Sequence, residues 1–206
     1  MPLQNRVLPT GEIVAQPWRG ALMGNRGCLH DDEQRLGHRR WRHHCWVTCK
    51  TTFRGRHRAV MPMPGAPTVY TALFFWDEAS AFAAGHRPCG ECRHADYQRF
   101  RKAWTAADLP GSTIREIDRA LHAARVRRDR SQVRTEALAA DLPRGTFILL
   151  SGGPALWDGE AAHPWSPEGY SDPRDVTGRV TVLTPTPLVT LFRHGYTPES
   201  GIADQI

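Results

Sequence analysis

The sequence of 206 residues predicts an α+β protein. Short β-branched and aromatic runs, which are typical of strands, occur in both halves of the chain, and helical patterns lie between them. The composition, 40% hydrophobic and 23% charged, is that of a globular protein. No run approaches the roughly 18 apolar residues of a membrane span, and the N-terminus does not look like a signal peptide. We therefore expect a cytoplasmic protein with no membrane partner.

The N-terminal part is expected to be mostly strands and loops. Residues 1–35 are rich in Gly and Pro and carry only short apolar pieces. The segment "MPMPGAP" (61–67) predicts a loop, because each proline removes a hydrogen-bond donor and restricts the residue before it. The run "TVYTALFFW" (68–76) is β-branched and aromatic and predicts a strand.

Two helices are predicted after this strand. Asp77 can cap a helix over residues 78–84, and Gly85 can end it in the left-handed conformation. Beyond a turn that contains two cysteines, residues 93–104 repeat large aromatic side chains at helical spacing, which indicates a second helix with one face in the core. The residues of that face are Tyr97, Phe100 and Trp104.

Residues 113–140 are mostly polar and predict a long helix with one apolar stripe. The stripe consists of Ile114, Ile117, Leu121 and Ala124. After "DLPRG" (141–145) the composition changes to short strand-like runs, with a hairpin expected at Asp158-Gly159 and a last helix near residues 186–195. The predicted organisation is a cysteine-containing N-terminal module (1–107), a helical connector (108–143) and a small β-rich module (144–206).

The net charge of +6 is concentrated in one part of the chain. From residue 34 to residue 76 there is no Asp or Glu, whereas eight Lys and Arg residues lie there. A surface of one sign attracts a polyanion, and nucleic acid is the commonest one; a solvated basic face without a partner is the alternative. The side chains expected to contact phosphates are Arg39, Arg40, Arg42, Lys50, Arg54, Arg56 and Arg58.

Four of the five cysteines form two short pairs. Cys45 and Cys49 are separated by three residues, and Cys89 and Cys92 by two. Reduced thiols in two short pairs are the usual ligands of a tetrahedral zinc site, so we expect these four residues to bind Zn²⁺. Cys28 has no partner at ligand spacing and is expected to be a buried or incidental thiol.

Residues 73–92, "LFFWDEASAFAAGHRPCGEC", resemble the signature of the Ada metal-binding domain, the zinc module of the bacterial methylation-response protein. The shared features are a strand that ends in aromatic residues, an Ala- and Glu-rich helix, a glycine, and an Arg-Pro-Cys-x-x-Cys turn. The first cysteine pair has the spacing of that family, and the resemblance extends over about residues 41–104.

This resemblance implies that all four cysteines bind zinc. It also implies that Cys45 accepts a methyl group from a DNA phosphotriester, and hence a role in DNA repair or its regulation. A coordinated thiol stays deprotonated at neutral pH, so such chemistry is reasonable. Two uses of the zinc remain open. It either holds the fold only, as closed four-ligand sites normally do, or also activates Cys45.

A second candidate site lies in "GNRGCLHDD" (24–32), where His30 and Asp31 follow two glycines. His and Asp in such a loop are suited to act as a general base, although a turn closed by its own side chains is the simpler interpretation. The main prediction is therefore a zinc-binding protein that binds nucleic acid, with DNA as the expected partner. The alternative is a hydrolase or nuclease with a site around His30 and Asp31 and a purely structural zinc.

Overall fold

Two six-stranded sheets and four α-helices form the mixed α+β fold of this protein. The computed structural model describes residues 2–57 and 70–202. Arg58 and the proline-rich segment 61–67 lie outside the described residues, and of Arg56 only the backbone is described.

The first sheet is built from the N-terminal part of the chain. Its strands are β1 (Gln4–Val7), β2 (Ile13–Ala15), β3 (Leu22–Asn25), β4 (Val47–Lys50), β7 (Leu73–Phe75) and β8 (Arg87–Pro88). Their order across the sheet is β2-β1-β7-β3-β4-β8, with parallel pairing in β1–β7 and β4–β8 and antiparallel pairing elsewhere. A small hairpin, β5 (Thr52–Phe53) and β6 (Arg56–His57), follows β4.

The second sheet is antiparallel throughout. Its strands are β9 (Thr135–Leu138), β10 (Thr146–Leu150), β11 (Gly153–Trp157), β12 (Ala162–Ser166), β13 (Gly169–Tyr170) and β14 (Arg179–Val182). Their order is β13-β12-β11-β10-β14-β9. The turn between β11 and β12 contains Asp158, whose carboxylate accepts from the amides of Glu160 and Ala161, so the predicted hairpin is confirmed.

The helices are α1 (Glu78–Ala83), α2 (His94–Ala106), α3 (Ile114–Arg125) and α4 (Thr186–Arg193). Helix α1 begins and ends as predicted: the Asp77 carboxylate accepts from the Ser80 amide at 2.8 Å, and Gly85 has a φ of +80°. All six residues of α1 are buried. Its small side chains allow both sheets to pack against it, while Phe82 points into the cluster formed by the other helices.

The long helix predicted over residues 113–140 is wrong beyond residue 125. Val126 is extended, Asp129 and Ser131 form a turn, and Thr135–Leu138 pair with β14 at the edge of the second sheet. The apolar stripe ends near Ala124, so no buried face continues the helix, and strand pairing is available to the residues that follow.

Residues on both sides of the predicted boundaries at 107 and 143 share the same buried clusters. One cluster contains Phe82, Ile117 and Leu188, and another contains Ala79 and Phe147. The division into three modules remains a prediction. Among the described residues, no helix combines the length and the apolar composition that crossing a bilayer requires.

Candidate metal centre and basic surface

Three cysteine sulfurs come together at the edge of the first sheet. The Sγ atoms of Cys49, Cys89 and Cys92 all lie within 4.8 Å of one another. Cys49 and Cys92 are buried, and Cys89 is half-buried. This thiol cluster could bind a metal ion. It unites one member of the first predicted pair with both members of the second.

The pairing of β4 with β8 creates the cluster. These parallel strands place Val47 beside Arg87 and Thr48 beside Pro88, and the amide of Cys89 donates to the Thr48 carbonyl at 2.9 Å. Cys49 therefore lies next to the turn that carries the second cysteine pair. Segments that are 40 residues apart in the sequence thus meet through backbone hydrogen bonds.

The donor set fits a soft divalent ion. Hydrogen bonding, first from the Cys49 thiol and then from the amides of Cys92 and Glu91, lowers the pKa of Cys89 to about 5. Burial raises the pKa of Cys92. Metal-bound cysteines are thiolates, and three clustered sulfurs are typical of zinc sites. The cluster thus offers three sulfurs, two of them buried, to a metal ion.

A buried ionic network supports the turn around the cluster. Arg93, which follows Cys92, donates to Glu78 at 2.6 Å, to Asp96 at 2.9 Å and to the Thr48 hydroxyl at 2.9 Å. This one guanidinium thereby joins β4, α1 and the start of α2. Such outer partners fix the orientation of ligands in metal sites.

Cys45 is not a member of the group of sulfurs within 4.8 Å of one another. It is exposed as a residue, and its sulfur accepts a hydrogen bond from Arg87 Nη2 at 3.3 Å. Arg87 is itself held by a bidentate ion pair with the buried Asp118, at 2.7 and 2.9 Å. Desolvation raises the pKa of the Cys45 thiol, the positive charge of Arg87 lowers it, and the negative charge of Asp118 raises it.

The predicted phosphate-binding residues fall into two groups. Lys50 follows Cys49 directly, Arg54 lies at the turn of the β5–β6 hairpin, and both are exposed. Arg39 and Arg42 are also exposed, in the loop before β4, where Arg42 donates to the Cys28 carbonyl at 3.0 Å. In the same loop Arg40 donates to the Gly37 carbonyl at 2.7 Å.

His30 and Asp31 are neighbours in the sequence but have different environments. His30 is buried, and its ring nitrogens lie 3.0 Å from the Thr71 hydroxyl and 3.0 Å from the Gln4 carbonyl. Burial lowers the pKa of His30, which keeps the imidazole neutral. Asp31 is exposed and pairs with Arg35. Both His30 ring nitrogens therefore have partners within the fold.

The structure also reveals a basic segment that the sequence reasoning missed. Residues 125–134, "RVRRDRSQVR", contain five arginines and one aspartate, and they belong to the stretch for which the sequence predicts a polar helix. Four of these arginines are exposed, whereas Arg125 is buried. The local density of positive charge was the signal that would have identified the segment.

Comparison of the chain with protein-family models, with curated proteins and with solved structures finds no match. The resemblance to the Ada metal-binding domain therefore remains a prediction from the residues of this sequence.

Proposed function

We propose that this protein binds zinc through Cys49, Cys89 and Cys92, with Cys45 as the fourth ligand, and that its basic surface binds nucleic acid. The observation that carries the proposal is the thiol cluster, in which three sulfurs from two separate segments lie within 4.8 Å of one another. The metal would hold the β4–β8 edge together. The basic surface consists of Arg39, Arg40, Arg42, Lys50 and Arg54. The sequence predicts Arg56 and Arg58 as further phosphate contacts.

Metal analysis of the purified chain tests the zinc site. We expect a single zinc ion per chain in the wild type, and its loss in Cys49→Ser and in Cys92→Ser. Cys28→Ser is the matched control, because the Cys28 sulfur lies outside the cluster and donates to the His30 carbonyl. Cys45→Ser should release zinc to a chelator faster than the wild type does. Full zinc content in Cys49→Ser would refute the site.

Salt dependence tests the nucleic-acid surface. The logarithm of the association constant should fall with the logarithm of salt concentration, and each phosphate contact contributes about 0.9 to the slope. Lys50→Gln with Arg54→Gln should therefore reduce the slope by about 2. Arg35→Gln is the control from the same basic region, because Arg35 is already paired with Asp31 and Glu33. A slope unchanged in the double variant would contradict the proposal.

The resemblance to the Ada domain supports a more specific proposal, a role in DNA repair or its regulation. The Cys45 sulfur would attack the methyl carbon of a DNA phosphotriester, forming a sulfur–carbon bond and releasing the phosphodiester. Mass spectrometry of the intact zinc-loaded protein after exposure to methylated DNA should then show one added methyl group on Cys45. An unmodified mass would end this proposal and leave the zinc site untouched.

The hydrolase alternative has weaker support. His30 is the best candidate base in the loop 24–32, but its ring nitrogens are both engaged and buried. A nuclease that used it would lose its activity in His30→Ala. Any cleavage of DNA or RNA that survives in His30→Ala would exclude this site.

A further inference from the structure

A cavity of about 670 Å³ opens on the side of the molecule where the loop before β4 meets the segment 125–134. Six arginines line it against only two carboxylates, those of Glu12 and Asp129. Two tryptophans, Trp41 and Trp46, also line it. Its volume is within the range of small-molecule sites.

Two buried guanidinium groups flank one tryptophan at this cavity. The Cζ atom of Arg26 lies 4.0 Å from the centroid of the Trp46 ring, and that of Arg125 lies 3.7 Å from it. Arg26, Arg125 and Trp46 are each only 2% exposed. Two positive charges are therefore held against one buried aromatic ring. Cation–π attraction offsets only part of the cost of their desolvation and mutual repulsion.

Neither of these arginines has a carboxylate partner among the described residues. Arg26 donates to the Gly11 carbonyl and to His86, and its Nη2 has no partner. Arg125 donates to the carbonyls of Gly85 and His44 and contacts His122, and its Nε has no partner. Buried charges in proteins are normally paired, because desolvation without compensation is costly.

The electrostatic environment shows the same deficit of negative charge. Burial, together with the positive charge of Arg40, lowers the pKa of Arg26 to about 9. Burial and the charge of Arg26 lower the pKa of Arg125 well below its usual range. The charge of Asp118 raises the pKa of Arg125 again in part, but Asp118 forms its ion pair with Arg87. Among the described residues, neither Asp129 nor Glu12 forms an ion pair with Arg26 or Arg125. An anion in the cavity would supply the missing countercharge.

The rim of the cavity provides the other elements of a recognition site. Arg127, Arg130 and Arg134 are exposed and line it, and Arg130 donates to the His38 carbonyl at 2.8 Å, which ties the two walls together. The Trp41 ring is half-buried, 6.0 Å from the Trp46 ring. A planar group can stack on such a ring while arginines hold an attached phosphate.

We propose that this cavity binds a phosphate monoester attached to an aromatic base, with the phosphate beside Arg26 and Arg125 and the base on Trp41. The ligand is either a free nucleoside monophosphate or the 5′-phosphorylated end of a nucleic-acid strand, since both present the same chemistry. The site shares only Arg40 with the basic surface and depends on neither the zinc nor that surface.

Calorimetry with inorganic phosphate, AMP, adenosine and short oligonucleotides with or without a 5′-phosphate tests the proposal. AMP should bind at least tenfold more tightly than adenosine, and inorganic phosphate should compete with it. If AMP binds more tightly than the 5′-phosphorylated oligonucleotide, the ligand is the free nucleotide. If the oligonucleotide binds more tightly, the ligand is the strand end. The proposal is overturned if AMP does not bind and if an oligonucleotide with a 5′-hydroxyl binds as tightly as its 5′-phosphorylated counterpart.

Variants separate this site from a structural role and from the basic surface. Arg26→Met and Arg125→Met should abolish both AMP binding and the rise of Tm that phosphate produces in the wild type. Arg127→Gln and Arg130→Gln, which change exposed residues and should fold normally, are expected to weaken AMP binding severalfold. Arg128→Gln is the control from the same segment outside the cavity lining, and Lys50→Gln with Arg54→Gln should leave AMP binding unchanged. Unaltered AMP affinity in Arg127→Gln and Arg130→Gln would refute the assignment.

Discussion

Buried arginines in this protein are of two kinds. Arg87 and Arg93 meet carboxylates at hydrogen-bond distance, whereas Arg26 and Arg125 donate only to neutral groups. The paired residues lie around the thiol cluster and stabilise its turn. The other two lie at the cavity, where their charge is available to a ligand. The partner of each guanidinium therefore distinguishes the two arginines that stabilise the turn from the two for which we propose a binding role.

The ion pair of Arg93 with Glu78 leads to a prediction about stability. This carboxylate is fully buried and accepts from Arg93, from the Tyr196 hydroxyl and from the Glu199 amide. Glu78→Ala leaves a buried guanidinium short of countercharge and should lower the free energy of unfolding by about 3 kcal/mol. Urea denaturation measures the change.

The exposed ion pair of Arg35 with Asp31 is the control for Glu78→Ala. Arg35→Ala should leave the urea midpoint almost unchanged, because solvent screens an exposed pair. Equal midpoints for Glu78→Ala and the wild type would show that the buried network contributes nothing to stability.

The sequence predicted part of the candidate site and could not predict the rest. Cysteine spacing predicted Cys45, Cys49, Cys89 and Cys92 as ligands, because metal ligands in short pairs leave a local pattern. Three of these four residues form the thiol cluster. Arg26 leaves no such pattern, and the basic run that begins at Arg125 gives no sign that this residue is buried. They are 99 residues apart, and an isolated arginine in a sequence is indistinguishable from a solvated surface residue until folding places both against Trp46.

Among the secondary-structure elements, the ends of helix α1 were easier to predict than the pairing of strands. The capping side chain of α1 and its terminal glycine followed from local stereochemistry, which needs no tertiary contact. The sequence predicts a helix where strand β9 lies. Its pairing with β14 joins segments more than 40 residues apart, so no local pattern indicates the strand. Polar residues without hydrophobic periodicity can form a strand when the edge of a neighbouring sheet is free to pair with them.

Helix α3 begins with a capping box whose strength depends on pH. The Glu116 carboxylate accepts from the amides of Thr113 and Ser112, and these bonds lower its pKa to about 2. Because the folded-state pKa is below that of the unfolded chain, the stabilisation is complete above about pH 4.5 and is lost as the pH falls towards 2. The difference in urea midpoint between the wild type and Glu116→Gln should shrink over that range. A constant difference from pH 7 to pH 2 would contradict the assignment.

The end of α1 links its backbone to the cavity. At Gly85, with a φ of +80°, a Cβ atom would lie 2.5 Å from Cδ of Arg125. Gly85→Ala should cost about 1–2 kcal/mol of stability from the left-handed conformation alone, and should in addition displace Arg125 and weaken AMP binding. Gly195→Ala is a matched control, because Gly195 has a φ of +93° and no atom within 4 Å of the added Cβ. AMP binding that is equal in both variants would show that Arg125 tolerates the displacement.

At the scale of the whole molecule, α1 is the element on which both sheets depend. Ala81 and Ala84 contact the first sheet, Ala79 and Ala83 contact the second, and Phe82 enters the helical cluster. The sequence predicted the helix but not this position. A helix of small side chains has no single apolar stripe, and complete burial follows only when several layers meet around it.

This central position predicts cooperative unfolding and a large effect at Phe82. Its ring is fully buried, with centroids 5.2 Å from Tyr196 and 5.5 Å from Phe192, and Phe82→Ala should cost about 3–5 kcal/mol. Since α1 packs against residues from all three predicted modules, the loss should lower the midpoints of tryptophan fluorescence and far-ultraviolet circular dichroism together. Leu138→Ala, at an exposed position of β9, should shift neither. Two separate transitions, only one of them moved by Phe82→Ala, would instead support independent modules divided near residues 107 and 143.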